Sequence, residues 1–568
     1  MLKKYIYLIT MLAAAAITIS GCGGLAPARS SAIYSDKSST KSTYHYSLAV
    51  LLRLNGQVND AAAELEKAIA ADSGSAYLKT ELVSLYAEKG DFAKAASLGK
   101  ETLSLHPDNS ELHMIMGGIY FNAREHNNAI QEYETVIKLE PKRSLAYLYL
   151  ATIYAEEKKY DRAEESFIRL LEIDPDNITA IYFYGKVLSE MNRFEDAARM
   201  YQKAISIRPD LTTAVVDLAA LYERQQKIDK AIEVYRRFME SNPVRTNIRM
   251  KLGDLLIKDK RYDEAKKEFQ EALKFDPDNR EARIALGLLY YDLKHFGLAV
   301  EEFLALLDKN AGDDRVRYLL ATTYEANKEN KLAQEEYRRI SPKSELYANA
   351  HVRIGMILKN DGKITEAISV LQEAISRKKD QFSFYLYLSS LYEEKKDLPG
   401  AENILKEGIR NVPKNVDLHY GLGVIYEKTN RFEESVREME TVLSIDPNNA
   451  EALNFIGYGY ADRGIKLAEA EQMIIKALKI KPGSGFMIDS LGWVHFKQNK
   501  LESAVKYLKE AMEIMPSDAT IVEHLGDVYV KLGQWKEAQD MYKKALQIDP
   551  QNNALQKKLE DITKKITQ

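Results

Sequence analysis

An all-α solenoid of stacked helical hairpins is the fold class that this 568-residue sequence predicts. Three observations predict it. Alanine recurs every 34 residues from Ala61 to Ala401; Ser435 then stands in once, one residue is inserted, and the beat resumes at Ala470, Ala504 and Ala538. Proline follows twelve residues behind, so that eleven of the fourteen prolines, from Pro107 to Pro550, share one phase. Each period also holds two apolar helical stripes separated by a break. A fixed period of roughly 20–50 residues marks a copied supersecondary unit, and such units contact only their neighbours.

At the N terminus, Met1 to Lys4 form a short positive start and Tyr5 to Ile19 an apolar run, which read as a signal peptide over residues 1–21. The apolar run is shorter than the ~20 residues needed to cross a bilayer. Ile19-Ser20-Gly21-Cys22 resembles the lipobox of bacterial lipoproteins. That resemblance implies cleavage before Cys22 and acylation of its sulfur and new amino terminus. Gly23 follows the cysteine where Asp would favour inner-membrane retention, so the resemblance points to an outer-membrane anchor facing the periplasm. Cys22 is the one cysteine of the chain, which excludes an internal disulfide and a thiolate metal cluster. The modified cysteine and the small, polar stretch after it, residues 22–41, read as a flexible tether spanning about 24 Å on average.

The repeats run from Ser42 to Asn552 as fifteen units of 34 with one inserted residue near Ile465. In unit 144–177, Tyr147, Leu150, Ala151 and Tyr154 share one helical face; after a break at Lys158-Lys159, Tyr160, Ala163, Phe167 and Leu170 share another. Pro175 stops the chain and Asn177 is placed to cap the next helix; ten of the fifteen units carry Asn, Asp or Ser at that last position. Gly or Ala at the eighth position, with Ala at the twentieth, lets paired helices approach closely. Residues 553–568 lack the proline and read as a final helix that covers the last unit. Ala311 and Lys379 replace the proline, Pro342 falls early, and unit 314–347 ends irregularly, which predicts the weakest stacking, and a hinge, between about 341 and 382.

Small residues at positions 8 and 20, aromatics near 11, 17 and 24, and proline at 32 make each unit similar to the tetratricopeptide repeat. The resemblance implies a right-handed superhelix whose first helices line a concave groove and whose second helices face outward. It further implies a scaffold that binds proteins.

Tyrosines at positions 11 and 24, such as Tyr154 and Tyr133, belong to the core face. Positions 2, 5, 6, 9 and 12 point away from that core. There stand Tyr46, Tyr77, Phe121, Tyr149, Tyr182, Phe183, Tyr291, Tyr318, Tyr387, Tyr420, Phe455, Tyr458, Phe486, Trp493 and Phe496. Large amphipathic rings on a solvent-facing wall suit partner binding, because they offer area at little conformational cost. Interleaved charges, among them Lys186, Arg224, Lys251 and Arg353, suit a ligand with polar and apolar parts. Chaperone adaptors of the family grip a C-terminal carboxylate with Lys at position 5, and no unit here has one. The sharpest local pattern joins Asn454 and Tyr458 to Asp489 and Trp493 at positions 5 and 9 of adjacent units, resembling a paired-repeat signature of envelope tetratricopeptide lipoproteins. Such a group reads either as a subsite for a peptide backbone or sugar, or as an inter-unit hydrogen-bond network.

Charge and composition exclude other classes. A net charge of −4 on 164 charged side chains gives no basic track for nucleic acid. The nine histidines show no nucleophile–base spacing, and His106 and His113 straddle a loop, so no metal, cofactor or catalysis is expected. The expected function is a lipid-anchored periplasmic scaffold for other envelope proteins or their peptide segments, in an export, secretion, pilus or exopolysaccharide machine. Binding of a polysaccharide or peptidoglycan glycan through the aromatic wall is the alternative.

Overall fold

The computed structural model describes residues 37–567. The signal peptide, Cys22 and the tether up to residue 36 therefore lie outside the described residues. The first helix begins at Lys37, within the stretch read as tether, because Lys37 to Thr43 continue the turns that lead into the apolar face of hairpin 1. Thirty-one helices and no strand occur among the described residues. They form fifteen hairpins, numbered here from the N terminus, followed by a lone helix, Asn553–Thr567. The chain divides into two units, Met1–Asp278 and Asn279–Gln568, each described by itself.

Hairpin 4 shows the construction. Its first helix, Ser144–Glu156, and its second, Tyr160–Ile173, bury Leu150, Ala151, Tyr154, Ala163, Phe167 and Leu170 against one another. Thirteen and fourteen residues are marginal lengths for an isolated helix in water, so packing supplies most of the stability. Every position-20 alanine has no exposed surface. Where Ser435 replaces it, the buried hydroxyl donates to the Gly423 carbonyl at 2.7 Å, which satisfies the one polar group added to that contact. A Cβ on Gly253 would stand 2.3 Å from the Phe269 ring, and one on Gly117 2.5 Å from the Tyr133 ring. The eighth position is thus small because a position-24 ring lies across it.

Both ends of the first helix follow from the sequence. Nine of the ten polar residues at position 34 cap the next helix: Ser75, Asn109, Asn177, Asn279, Asp313, Asn415, Asn449, Asp518 and Asn552 each accept a backbone N–H with the side chain. Ser484 makes no such bond. At the other end, position 15 has positive φ in all fifteen hairpins, with glycine at five of them and Lys, Asn, Gln or Arg at ten. The next amide reaches back to the position-11 carbonyl, as in Lys159 to Tyr154 at 2.8 Å, a Schellman closure that fixes the hairpin angle. The inserted residue is absorbed in this turn, where Gly464 and Lys466 both take positive φ.

The irregular stretch expected to stack weakly is filled instead. The second helix of hairpin 9, Asn330–Arg338, has nine residues, and Ile340 and Tyr347 are each 1% exposed in the space left behind. Tyr347 lies 4.1 Å from the His351 ring and 6.1 Å from Phe384. The buried cluster from Ala321 to Tyr426 runs through the region without interruption, and the division between units falls at Asp278 rather than within 341–382.

Candidate functional site

Within each unit several first helices of neighbouring hairpins touch. Ala76–Glu88 meets Ser110–Asn122 and Ser144–Glu156 meets Ile178–Glu190 in the first unit; Ala450–Asp462 meets Gly485–Lys497, which meets Ala519–Lys531, in the second. Pairs of second helices make no comparable contact among the described residues. The row whose members touch is the inside of each stack, and the candidate groove residues all stand on it.

In the first unit, Tyr149 is half-buried and stacks on the fully buried Tyr133, with centroids 5.1 Å apart. Tyr182 and Phe183, also half-buried, meet edge to face at 5.2 Å. The Tyr182 hydroxyl donates to Asp217 at 2.7 Å across the hairpin junction. Burial, and then the Asp217 carboxylate, push the Tyr182 phenol well above its ordinary range. Lys186 places its ammonium 5.7 Å from the centre of the Tyr182 ring. Arg224 is exposed, yet it donates to Asn192 at 3.2 Å and covers Phe194 at 5.0 Å. Lys251 is exposed one turn before Asp254, whose carboxyl burial raises although Lys258 and Lys251 oppose it. The same desolvation raises Glu81, against the pull of Arg53.

In the second unit, half-buried Tyr318 packs edge-on to Tyr337 at 5.3 Å, Tyr291 to Phe296 at 5.7 Å and Tyr420 to Phe455 at 6.0 Å. Tyr387 lies over Gly355, and its sealed hydroxyl has no hydrogen-bond partner. Arg353 donates to Glu325 at 3.0 Å. Four successive junctions carry ion pairs, Lys359–Glu394, Lys428–Glu393, Arg463–Glu427 and Lys497–Asp462. Of the charges read as ligand-facing, Arg224 and Arg353 likewise tie one hairpin to the next.

The four-residue pattern at the C-terminal end is built differently from its sequence reading as a subsite. Asp489 and Trp493 are 6% and 7% exposed. Asp489 accepts from His524 Nδ1 at 2.9 Å, and the Trp493 ring stacks on the His524 imidazole at 4.0 Å. The Trp493 indole N–H donates to Asp462 at 3.3 Å. Tyr458 approaches His524 at 6.3 Å, and burial, with the carboxylates of Asp462, Asp489 and Glu523 behind it, raises its phenol. Asn454 is half-buried, with its side-chain oxygen sealed and unpartnered. Asp489, Trp493 and Tyr458 converge on His524 as an inter-hairpin network, and Asn454 stands one turn before Tyr458 on the same helix. The adjacent Glu523 and Asp527 both receive Lys558 of the final helix at 2.7 Å; burial opposes that ammonium's charge, yet the two carboxylates hold its pKa above the usual lysine range.

His524 escaped sequence reasoning because position 6 carries no shared residue type. A second set was missed although its signal was periodic. His or Arg at position 4 pairs with Glu at position 23 in six hairpins, from His45–Glu64 to His419–Glu438, at 2.5–2.9 Å. In hairpins 3 and 12 the other imidazole nitrogen meets the carbonyl of Pro107 or Pro413 in the preceding turn at 3.0 Å. Among the described residues no group of three His, Cys, Asp or Glu is placed to hold a metal, and no helix is long and apolar enough to cross a membrane.

Comparison with known proteins agrees with the repeat. Profiles described as tetratricopeptide repeat match residues 52–119, 256–322, 394–457 and 495–562, and a second one matches 348–381. One described as the tetratricopeptide repeat protein 21 C-terminal ARM domain matches 120–251. A TPR repeat-containing protein of Pseudomonas aeruginosa is 31% identical over 156 residues, which are 27% of this chain and 26% of that relative. The chain thus spans about a quarter of the length of that curated relative. A tetratricopeptide repeat protein from Parabacteroides merdae is 16% identical, with TM-score 0.36, over 46% of this chain and 98% of the other. MamA from Desulfovibrio magneticus is 18% identical, with TM-score 0.27, over 31% and 98%.

Proposed function

Because the chain belongs to the tetratricopeptide-repeat proteins, we propose that it is a lipid-anchored scaffold of the bacterial envelope, which holds protein segments against its first-helix wall beside the membrane. The observation that carries this reading is the row of half-buried rings on that wall. Tyr149, Tyr182, Phe183 and Tyr420 each keep one side packed and one side open. Rings fixed in this way lose little entropy when a partner covers them, and a spread of weak contacts gives multivalent capture. The acylation of Cys22 implied by the lipobox would raise the local concentration of scaffold and partner at one surface. A partner in an export, secretion, pilus or exopolysaccharide machine suits that location.

A photo-crosslinking residue placed at Phe183 or Tyr420 in cells tests the reading. Discrete adducts with one or a few envelope proteins are expected at these positions and not at Lys203 on a second helix. Equal labelling from both faces would refute it. Recovery of glycan adducts alone would move the conclusion to polysaccharide binding.

A further inference from the structure

Position 3 of each repeat is a stacking position. In the first unit it is at most 6% exposed at Leu78, Leu112, Ala146, Ala180, Ala214 and Ile248, because the preceding hairpin lies against it. Position 10, one face-repeat further along, behaves alike: Leu85, Ile119, Ile153, Val187, Leu221 and Leu255 are at most 4% exposed. The corresponding residues of hairpin 1 are Tyr44 and Leu51, and they are 64% and 58% exposed; Leu54, one turn on, is 76% exposed. The opposite end of the chain is finished. There Leu555 and Ile562 occupy positions 3 and 10 of the final helix and are buried, while Lys557, Glu560, Asp561, Lys564 and Lys565 face outward. Solenoids ordinarily close both ends with a polar face. Among the described residues, the first hairpin keeps an apolar face that no other described helix covers.

Three observations indicate what covers it. The helix that bears the face, Lys37–Leu54, contains no Asp or Glu in eighteen residues, and exposed Lys41 continues the stripe of Tyr44, Leu48, Leu51 and Leu54 at four- and three-residue spacing. A stripe of Leu and Tyr with a basic end is the composition of a segment lying in an anionic lipid interface. Next, Cys22 stands fifteen residues before Lys37, so an acylated cysteine would keep the start of this helix within at most about 50 Å of the bilayer. Finally, the patch is small. A stable dimer buries roughly 20–30 residues a side, and a stripe of three exposed apolar side chains falls far short of that.

We infer that the open end face of hairpin 1 docks on the membrane interface, with Tyr44, Leu51 and Leu54 inserted among lipid headgroups and Lys41 against anionic lipid. This rests on the proposed acylation of Cys22. The lipid chains would supply attachment, and the face would fix the angle at which the hairpins leave the surface.

Cys22 is the chain's single cysteine, so in the acylated full-length protein a thiol introduced by Leu54→Cys is unique and can carry an environment-sensitive dye. The protein is reconstituted on phosphatidylethanolamine–phosphatidylglycerol vesicles, with Lys557→Cys as the control site. Docking predicts a blue shift and quenching by nitroxide-labelled lipid chains for the dye at 54 and neither change at 557. The additional change Leu51→Glu should abolish both signals at 54 while leaving the protein on the vesicles and its circular dichroism intact. An unquenched dye at 54 on protein that still floats with vesicles overturns the docking and leaves the anchor standing. Protein that neither floats nor shows an acyl mass on Cys22 removes the anchor, and the docking with it. Self-quenching between dyes at 54 without lipid would assign the face to a second copy instead.

Discussion

Asp489 of hairpin 14 and His524 of hairpin 15 meet at 2.9 Å beneath the indole of Trp493, and neither is more than 6% exposed. A carboxylate so deeply placed is tolerable only with its donor. His524→Leu should therefore cost about 3 kcal/mol. Replacing both residues by leucine should recover a large part of that loss, since no stranded charge remains. Denaturant titrations followed by circular dichroism measure both values; a double variant less stable than the single one would contradict the assignment.

Two position-24 tyrosines offer a matched comparison. Tyr337 Oη lies 3.0 Å from the Thr322 hydroxyl at position 9 of its hairpin and donates to Glu325 at 3.1 Å, whereas in hairpin 3 position 9 is Gly118 and the sealed Tyr133 hydroxyl has no partner. Tyr337→Phe should lose about 1 kcal/mol, and Tyr133→Phe should lose nothing or gain slightly. Equal losses at the two sites would show that a bridging water serves Tyr133.

Gly253→Ala brings a methyl group against Phe269, where the ideal Cβ is 2.3 Å from the ring. A loss of roughly 1–3 kcal/mol is expected from overpacking. Phe269→Leu in the same chain should return part of it. Gly297→Ala, where a Cβ meets open space, is the control and should not destabilise.

Stability should fall in alkali. Burial, then the hydrogen bond to Glu66, pushes the Tyr86 phenol up to about 12, and burial also raises Tyr149, Tyr318 and Tyr420. A phenol whose folded pKa exceeds its unfolded value of 10 keeps its full contribution below pH 10, because both states then hold the proton. Above pH 10 the unfolded chain ionises first, so the contribution of Tyr86 is lost progressively up to about pH 12. Thermal midpoints measured across this range should drop, and Tyr86→Phe should flatten the drop. A midpoint that rises with pH there would reverse the sign.

The hairpin, its period and its caps were legible in the amino-acid order because each depends on near neighbours. Asn177 caps the helix that begins one residue later, and Gly117 and Tyr133 are sixteen residues apart within one repeat. Their chemistry repeats every 34 residues, so the pattern accumulates evidence with each copy. That the candidate wall residues stand on first helices was legible for the same reason. How far each is covered was not legible, because that depends on the next hairpin. Trp493 and Phe183 occupy equivalent kinds of position, yet the imidazole of His524 seals the first and nothing comparable covers the second. Likewise Tyr44 and Leu78 share position 3, and among the described residues a hairpin precedes only the second. Periodicity assigns a side chain its direction; only the neighbouring helix, arriving from some 30 residues away, assigns its solvent, and free surface for a partner is a matter of solvent.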